Sequence, residues 1–104
     1  SFVCITEGSL DTMWLDQHGF PSVALLGSSM SKKQREMLYN ISTQEFVICL
    51  DNDSTGQKAM NKIFRELSTS FIVSYITLPN GIKDVQDVRN ENQLCDIISE
   101  RNYW

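Results

Sequence analysis

Apolar residues in this chain either cluster in short runs or recur at positions three and four residues apart. The runs cover residues 2–5, 22–26, 46–50 and 71–78, of which the run 46–50 is unbroken and β-rich, and they predict four strands. The spaced positions predict a helix after each strand, because they place apolar side chains on one helical face. The residues expected to be buried are Leu10, Met13 and Trp14 in the first helix, Met37, Leu38 and Ile41 in the second, Ala59, Met60, Ile63, Phe64 and Leu67 in the third, and Leu94, Ile97 and Ile98 in the last.

Polar residues mark where these elements begin and end. Ser9 is a candidate N-cap for the first helix, and Ser31 with Gln34 matches a capping box that opens the second. Asp53 or Ser54 can cap the third helix. The segment 79–81, Pro-Asn-Gly, predicts a turn after the fourth strand.

Strictly alternating strands and helices predict an α/β fold with about four parallel strands and helices on both faces. In such a sheet the carboxyl ends of the strands share one edge, where ligands bind. Four loops should meet there: residues 7–8, 27–29, 51–53 and 81–87.

Three carboxylates in these loops suggest metal chemistry. Glu7 follows the first strand, and Asp51 and Asp53 follow the third, with no His or nucleophilic Cys beside them. Oxygen ligands of this kind suit Mg²⁺, and paired ions can align an in-line displacement at phosphorus. Glu7 can instead act as a general base if its acidic neighbours raise its pKa.

Composition limits the setting in which this site works. The 104 residues, 41% hydrophobic and 21% charged, predict a single domain over residues 1–104. A formal charge of −4 argues against a free-standing nucleic-acid binder. The cysteines Cys4, Cys49 and Cys95 lack CxxC spacing and are expected to be reduced, and no apolar stretch is long enough to span a bilayer, so we expect no membrane and a cytoplasmic location. Because the first strand begins at Phe2 without a lead-in, we expect a domain cut from a larger protein.

Three segments together resemble a known family. They are Thr6-Glu7-Gly8-Ser9-Leu10-Asp11, then Leu26-Gly27-Ser28-Ser29-Met30-Ser31, and Asp51-Asn52-Asp53-Ser54-Thr55-Gly56-Gln57-Lys58-Ala59. Over nearly the whole chain they are similar to the Toprim domain of bacterial and phage DNA primases. The resemblance implies the Toprim form of a Rossmann-like fold.

The resemblance also implies roles for individual residues. Glu7, Asp51 and Asp53 would be catalytic and would bind Mg²⁺, for which Mn²⁺ can substitute. Further acids of the family pattern fall on Asp11 and on the loop after the fourth strand. That loop is one residue longer than the family's common form, which leaves Asp84 and Asp87 open as ligands, with Asp84 favoured. Phosphate contacts are implied for Gly8, Lys58 and Lys83.

At the level of function, the resemblance implies a DNA primase that makes RNA primers for replication. Its substrates would be a single-stranded DNA template and ribonucleoside triphosphates, and its partner a replicative helicase. Because this chain is acidic, the main template contacts are expected in a basic neighbouring segment, and the isolated domain is expected to be inactive alone.

Other functions remain open from the sequence. Toprim domains of topoisomerases and nucleases share the acids, although type II topoisomerases tend to read EGDSA where this chain has Glu7-Gly8-Ser9-Leu10-Asp11. Haloacid dehalogenase-like phosphatases also use DxDxT, but after their first strand rather than the third. A non-catalytic, metal-binding Toprim-like module is a further alternative.

Several of these residues also have purely structural interpretations. Asp11 lies where an acid favours the helix dipole, and Asp53 in isolation fits an N-cap. Lys58 is at a position where an exposed lysine is usually solvated. Only the combination with Glu7 favours a functional site.

Overall fold

The computed structural model describes residues 2–25, 30–50 and 53–104, and it confirms the expected alternation of strands and helices. The strands are β1 (Phe2–Thr6), β2 (Ser22–Ala24), β3 (Glu45–Cys49), β4 (Ile72–Tyr75) and β5 (Asn102–Tyr103). The helices are α1 (Ser9–Gln17), α2 (Lys32–Tyr39), α3 (Ser54–Leu67) and α4 (Glu91–Ser99), with a 3₁₀ turn at Val85–Asp87.

The strands form one sheet in the order β2-β1-β3-β4-β5. Strands β1 to β4 are parallel, as expected. The expectation of about four strands was incomplete, because β5 adds a short antiparallel edge in which Tyr103 lies opposite Ser74. With two residues β5 has no periodicity to detect, and its pairing depends on contacts with residues distant in sequence.

Helices cover both faces of the sheet. The sheet therefore divides the core into two layers. One layer joins Phe46 and Ile48 of β3 to residues of α2 and α3. The other joins Val47 and Cys49 of β3 to residues of α1, α4 and the 3₁₀ turn. Successive side chains of a strand point to opposite faces of the sheet. Because both faces are covered here, β3 is buried along its whole length.

The sequence misjudged which side of α1 faces the core. Asp11 and Leu15, four residues apart, are buried, whereas Leu10 and Met13 are 62% and 63% exposed. With Asp11 and Leu15 inward, Met13 falls on the far side of the helix. In α2, Leu38 is buried as expected, whereas Met37, which was also expected to be buried, is exposed.

Element boundaries differ at several points. The N-cap of α1 is Gly8 rather than Ser9, β2 ends at Ala24, and β4 is shorter than the apolar run at 71–78. Ile76 and Leu78 beyond β4 are nevertheless buried in the layer that contains α1 and α4. The capping box of Ser31 and Gln34 is confirmed at both of its hydrogen bonds.

Two expectations concern the membrane and the cysteines. Within the described residues, none of the helices combines the length and the apolar character needed to cross a bilayer. Cys4 and Cys49 are buried, Cys95 is half-buried, and all three are free thiols, as expected.

Candidate functional site

Two of the predicted acidic segments follow neighbouring strands. Glu7 comes directly after β1 and is half-buried, and Asp53 lies just beyond β3 and is exposed. The chain runs from β1 outward to β2 and then crosses back to β3, so the sheet order reverses between β1 and β3. Ligands of open α/β sheets bind at such a point. Asp51, the third predicted acid, lies outside the described residues.

Asp53 caps a helix, in addition to its predicted role in metal binding. Its Oδ1 accepts a hydrogen bond of 2.7 Å from the backbone N–H of Gly56, which makes Asp53 the N-cap of α3. The capping interpretation of this residue is therefore correct. It is compatible with a metal-binding role, because a carboxylate has two oxygens and several lone pairs.

Asp11 lies beside Gly8, just beyond the carboxyl end of β1. It is only 5% exposed, in the first turn of α1. The pKa of the neighbouring Cys49 thiol is raised well above its ordinary value, chiefly by a hydrogen bond with Cys4, then by burial, and also by the charges of Cys4 and Asp11.

A pair of threonine hydroxyls holds the turn that contains Glu7. The Thr6 Oγ1 atom donates to the backbone oxygen of Gly8 at 3.1 Å and lies 2.7 Å from Thr12 Oγ1. These bonds tie the end of β1 to the first turn of α1, and so they fix the backbone on both sides of Glu7. The structural role of the two threonines was not predicted, because a single Thr carries no recognisable signal in the sequence. Thr6 is fully buried.

The loop after β4 packs against α1 and brings Asp84 towards the same edge. The Trp14 indole Nε1 of α1 donates a 3.1 Å hydrogen bond to the backbone oxygen of Val88. Val85 and Val88 are buried in the same layer as Leu15. The loop turns at Gly81, whose φ of +87° is costly for residues with a Cβ. The loop is thereby anchored on both sides of Asp84.

The two candidate acids of this loop differ in their surroundings. The Oδ1 atom of Asp84 is shielded from solvent and has no hydrogen-bond partner among the described residues, whereas Asp87 is exposed. A buried carboxylate oxygen without a donor is costly unless a cation or another donor satisfies it. This contrast favours Asp84 over Asp87 as a ligand.

The predicted phosphate contacts are less distinctive. Lys58 in α3 and Lys83 before Asp84 are both exposed. Gly8 has an extended backbone, and a Cβ added there would meet Asp11 Oδ2 at 3.8 Å, an ordinary contact. Neither conformation nor space therefore requires glycine at position 8.

The residues present fit a magnesium site in their chemistry. In residues 2–25, 30–50 and 53–104, no three His, Cys, Asp or Glu side chains come close enough to hold an ion between them. The predicted set depends on Asp51, which those ranges do not include. The predicted donors are all carboxylates, and Asp84 contributes a buried oxygen to which no group in the described part of the chain donates, both of which suit a hard cation.

Comparison with known sequences identifies the family. Residues 4–89 match the Toprim-like family model. The DNA primase of Rickettsia bellii is 33% identical over 97 residues, which cover 88% of this chain and 16% of that protein. The DNA primase of Deinococcus radiodurans is 31% identical over 85 residues, covering 80% of this chain and 15% of that protein. The chain spans about a sixth of the length of these relatives.

Solved structures lead to the same group of proteins. The zinc-binding and RNA polymerase domains of the Aquifex aeolicus primase match with a TM-score of 0.82 and 26% identity, over 99% of this chain and 26% of that one. The primase fragment of the bacteriophage T7 primase-helicase matches with a TM-score of 0.65 and 25% identity, over 96% and 43% of the two chains. The chain therefore belongs to the Toprim-like family and is a Toprim domain homologous to DNA primases.

Proposed function

We propose that this chain is the catalytic Toprim domain of a larger DNA primase, which makes RNA primers on single-stranded DNA for replication in the cytoplasm. The observation that carries the proposal is the position of Glu7 and Asp53 directly beyond the neighbouring parallel strands β1 and β3, with Asp84 in the loop after β4 contributing a buried oxygen. Glu7, Asp51, Asp53 and Asp84 would hold Mg²⁺, or Mn²⁺ in its place, while Asp11 would support the site from α1.

In the proposed reaction the 3′-hydroxyl of the growing primer attacks the α-phosphate of a ribonucleoside triphosphate. A new phosphodiester bond forms, the bond to the β-phosphate breaks, pyrophosphate leaves, and the hydroxyl proton is taken up by a base. Bound Mg²⁺ would neutralise the reacting phosphate oxygens.

The chain's own residues would position the reactants. Glu7 is held by the Thr6–Thr12 turn at the end of β1 and, instead of binding the metal, is a candidate for the base. Lys83 and Lys58 would meet phosphate oxygens, and the start of α3 presents backbone N–H groups that favour anions.

Substrates and partners follow from the relatives. One solved neighbour is a primase catalytic domain bound to single-stranded DNA, which supports a DNA template here. Another is a primase-helicase, which supports association with a helicase. The DNA primases among the relatives favour this function over a topoisomerase or a nuclease.

Metal binding tests the proposal directly. Titration calorimetry with Mg²⁺ and Mn²⁺ should show binding that becomes about tenfold weaker or is lost in Glu7→Gln and Asp51→Asn, because each removes one ligand charge. Asp53→Asn should also weaken binding, while asparagine still caps α3 and keeps the fold.

Asp96→Asn is the matched control, since it removes one exposed carboxylate from α4, away from the sheet edge. Its affinity should equal that of the wild type. Equal metal affinity in the wild type and in folded Glu7→Gln and Asp51→Asn would refute the proposed site.

A further inference from the structure

Charge in this chain is divided between two regions. Helices α2 and α3 carry six of the nine lysine and arginine residues and only two of the thirteen acidic ones. Both helices pack on the same face of the sheet. The formal charge of −4 therefore combines +4 on these two helices with −8 on the other residues, and this face of the molecule is positive.

The cations of α3 lie in a line. The helix buries Ala59, Met60, Ile63 and Leu67, and its opposite side exposes Lys58, Lys62 and Arg65. These three positions are four and three residues apart, so they follow one another at about 6 Å and then about 4.5 Å along the helix axis. Such a row can follow a chain of phosphates.

An exposed aromatic ring lies beside this row. Trp104 follows β5 and stacks on Phe64 of α3 with ring centroids 4.2 Å apart and an angle of 22° between the planes. Tyr75 supports the same ring at 4.5 Å. Although it is packed in this way, Trp104 remains 47% exposed. The indole is therefore held in place and still offers surface to a ligand.

Two of the three cations, Lys58 and Arg65, line one groove together with the indole, which we call the α3–Trp104 groove, and Lys62 lies between them along α3. It has a volume of about 420 Å³ and is lined by Lys58, Asn61, Phe64, Arg65 and Trp104. A matching ligand must offer anions in a row together with a flat apolar face. Single-stranded nucleic acid offers both, whereas a duplex hides the faces of its bases and an acidic peptide lacks a regular aromatic face.

We propose that the α3–Trp104 groove binds single-stranded nucleic acid, with Lys58, Lys62 and Arg65 on its phosphates and Trp104 stacked on a base. The inference deepens the proposed function and rests on it for the choice of nucleic acid over other anionic chains. It adds to the expectation that the main template contacts lie in a neighbouring segment, since it gives this chain a contact surface of its own.

The test is the fluorescence anisotropy of a labelled single-stranded oligodeoxythymidylate titrated with the 104-residue chain at low salt and in EDTA. Binding without sequence specificity is expected, with a dissociation constant of about 10⁻⁴ to 10⁻⁶ M. The triple variant Lys58→Ala, Lys62→Ala, Arg65→Ala should bind at least about tenfold more weakly, and its plot of log affinity against log salt should be shallower by about 2.

A second triple variant is the matched control. Lys32→Ala, Lys33→Ala, Arg35→Ala removes the same charge from α2, which does not line the groove. It should keep most of the affinity. Trp104→Ala should lose about tenfold through the lost stacking, and Trp104→Phe should restore part of that loss. Thermal melts establish that each variant is folded.

Several results would overturn the inference. These are equal losses in the two triple variants, no loss in either folded triple variant, equal affinity for a duplex of the same length, or equal displacement by polyglutamate. Because EDTA removes divalent metal, binding here is independent of the carboxylate site. If Mg²⁺ binding fails in calorimetry while the oligonucleotide still binds through α3, the proposed catalysis is refuted and the groove is not.

Discussion

Primer synthesis by the full-length protein should fall by about a thousandfold when Glu7 is replaced by glutamine, a loss typical of removing a group that stabilises charge in a transition state. Glutamine keeps the size of the side chain and removes its charge and its basicity. Asp51→Asn should have a similar effect. The measurement is incorporation of labelled ribonucleotides on a single-stranded DNA template at saturating Mg²⁺.

Two comparisons separate chemistry from folding. Asp53→Asn keeps a side-chain oxygen that can accept from Gly56 N–H, so its unfolding free energy should stay close to that of the wild type while activity falls. Asp53→Ala should lower both, with about 1 kcal/mol of stability lost with the cap. Full activity in a folded Glu7→Gln protein would contradict the assigned role.

The same assay distinguishes the two acids of the loop after β4. Asp84→Asn should lower activity, because its shielded Oδ1 is available to a cation. Asp87→Asn removes an exposed carboxylate three residues away and should have little effect. The reverse order of effects would identify Asp87 as the ligand.

The parts of the fold that sequence predicted well depend on local signals. The unbroken run 46–50 indicated a strand buried on both faces, and β3 is the central buried strand of the sheet. The capping box at Ser31 depends on residues three apart and was also correct. In such cases the chemistry that forms the element is contained within a few residues.

The errors came from packing between distant segments. Periodicity alone placed Met13 inward, but the buried Asp11 sets the orientation of α1, and an acidic residue at a core position is not expected from a hydrophobic pattern. Strand β5 depends on Arg101 meeting a residue 56 positions earlier. The net charge likewise concealed the positive face of α2 and α3, because a sum over the sequence contains no positions.

The sequence favoured Asp84 over Asp87 as a ligand only through the family resemblance, without a physical difference between the two residues. Asp84 and Asp87 have the same chemistry and lie in the same loop, and only burial distinguishes them. Burial in turn depends on α1, which packs against the loop through the Trp14 hydrogen bond to Val88. Residues 74 positions apart thus decide which acid is shielded.

Glu45 is the centre of a partly buried polar network at the other end of β3. Its carboxylate accepts from Arg101 Nε at 2.7 Å and Arg101 Nη2 at 3.1 Å, from the Ser74 hydroxyl, and from the Tyr103 hydroxyl at 3.3 Å. The Arg101 guanidinium also lies over the Phe2 ring, 4.6 Å from its centroid. The network therefore connects Arg101 and β5 to strands β1, β3 and β4.

We expect Glu45→Ala to lower the unfolding free energy by about 3 kcal/mol, because it leaves the Arg101 charge and the Ser74 hydroxyl without their partner. The side chains of Arg101 and Glu45 are only 17% and 12% exposed, so water compensates them poorly. The measurement is urea denaturation at neutral pH. Glu100→Ala, which removes an exposed acid next to Arg101, should change little.

The effect should depend on pH in a defined direction. The hydrogen bond from Arg101 is the main cause that lowers the pKa of Glu45 below its ordinary value of 4.5, against the opposing effect of burial. Its ionised form therefore stabilises the fold fully above that ordinary value, and this contribution disappears as the pH falls through the lowered pKa. The stability difference between the wild type and Glu45→Gln should shrink on acidification, and a constant difference would contradict this account.

The network also connects to the α3–Trp104 groove, since Arg101 precedes β5 and Trp104 follows it. If Glu45 fixes β5 through Arg101 and Tyr103, then Glu45→Ala should loosen Trp104 from Phe64 even under conditions where the protein remains folded. A red shift of the Trp104 emission, measured in a Trp14→Phe background, together with weaker oligonucleotide binding, is the expected result. Unchanged emission with unchanged binding would mean that stacking on Phe64 and Tyr75 alone positions the indole. The Glu45 network and the α3–Trp104 groove would then be energetically independent.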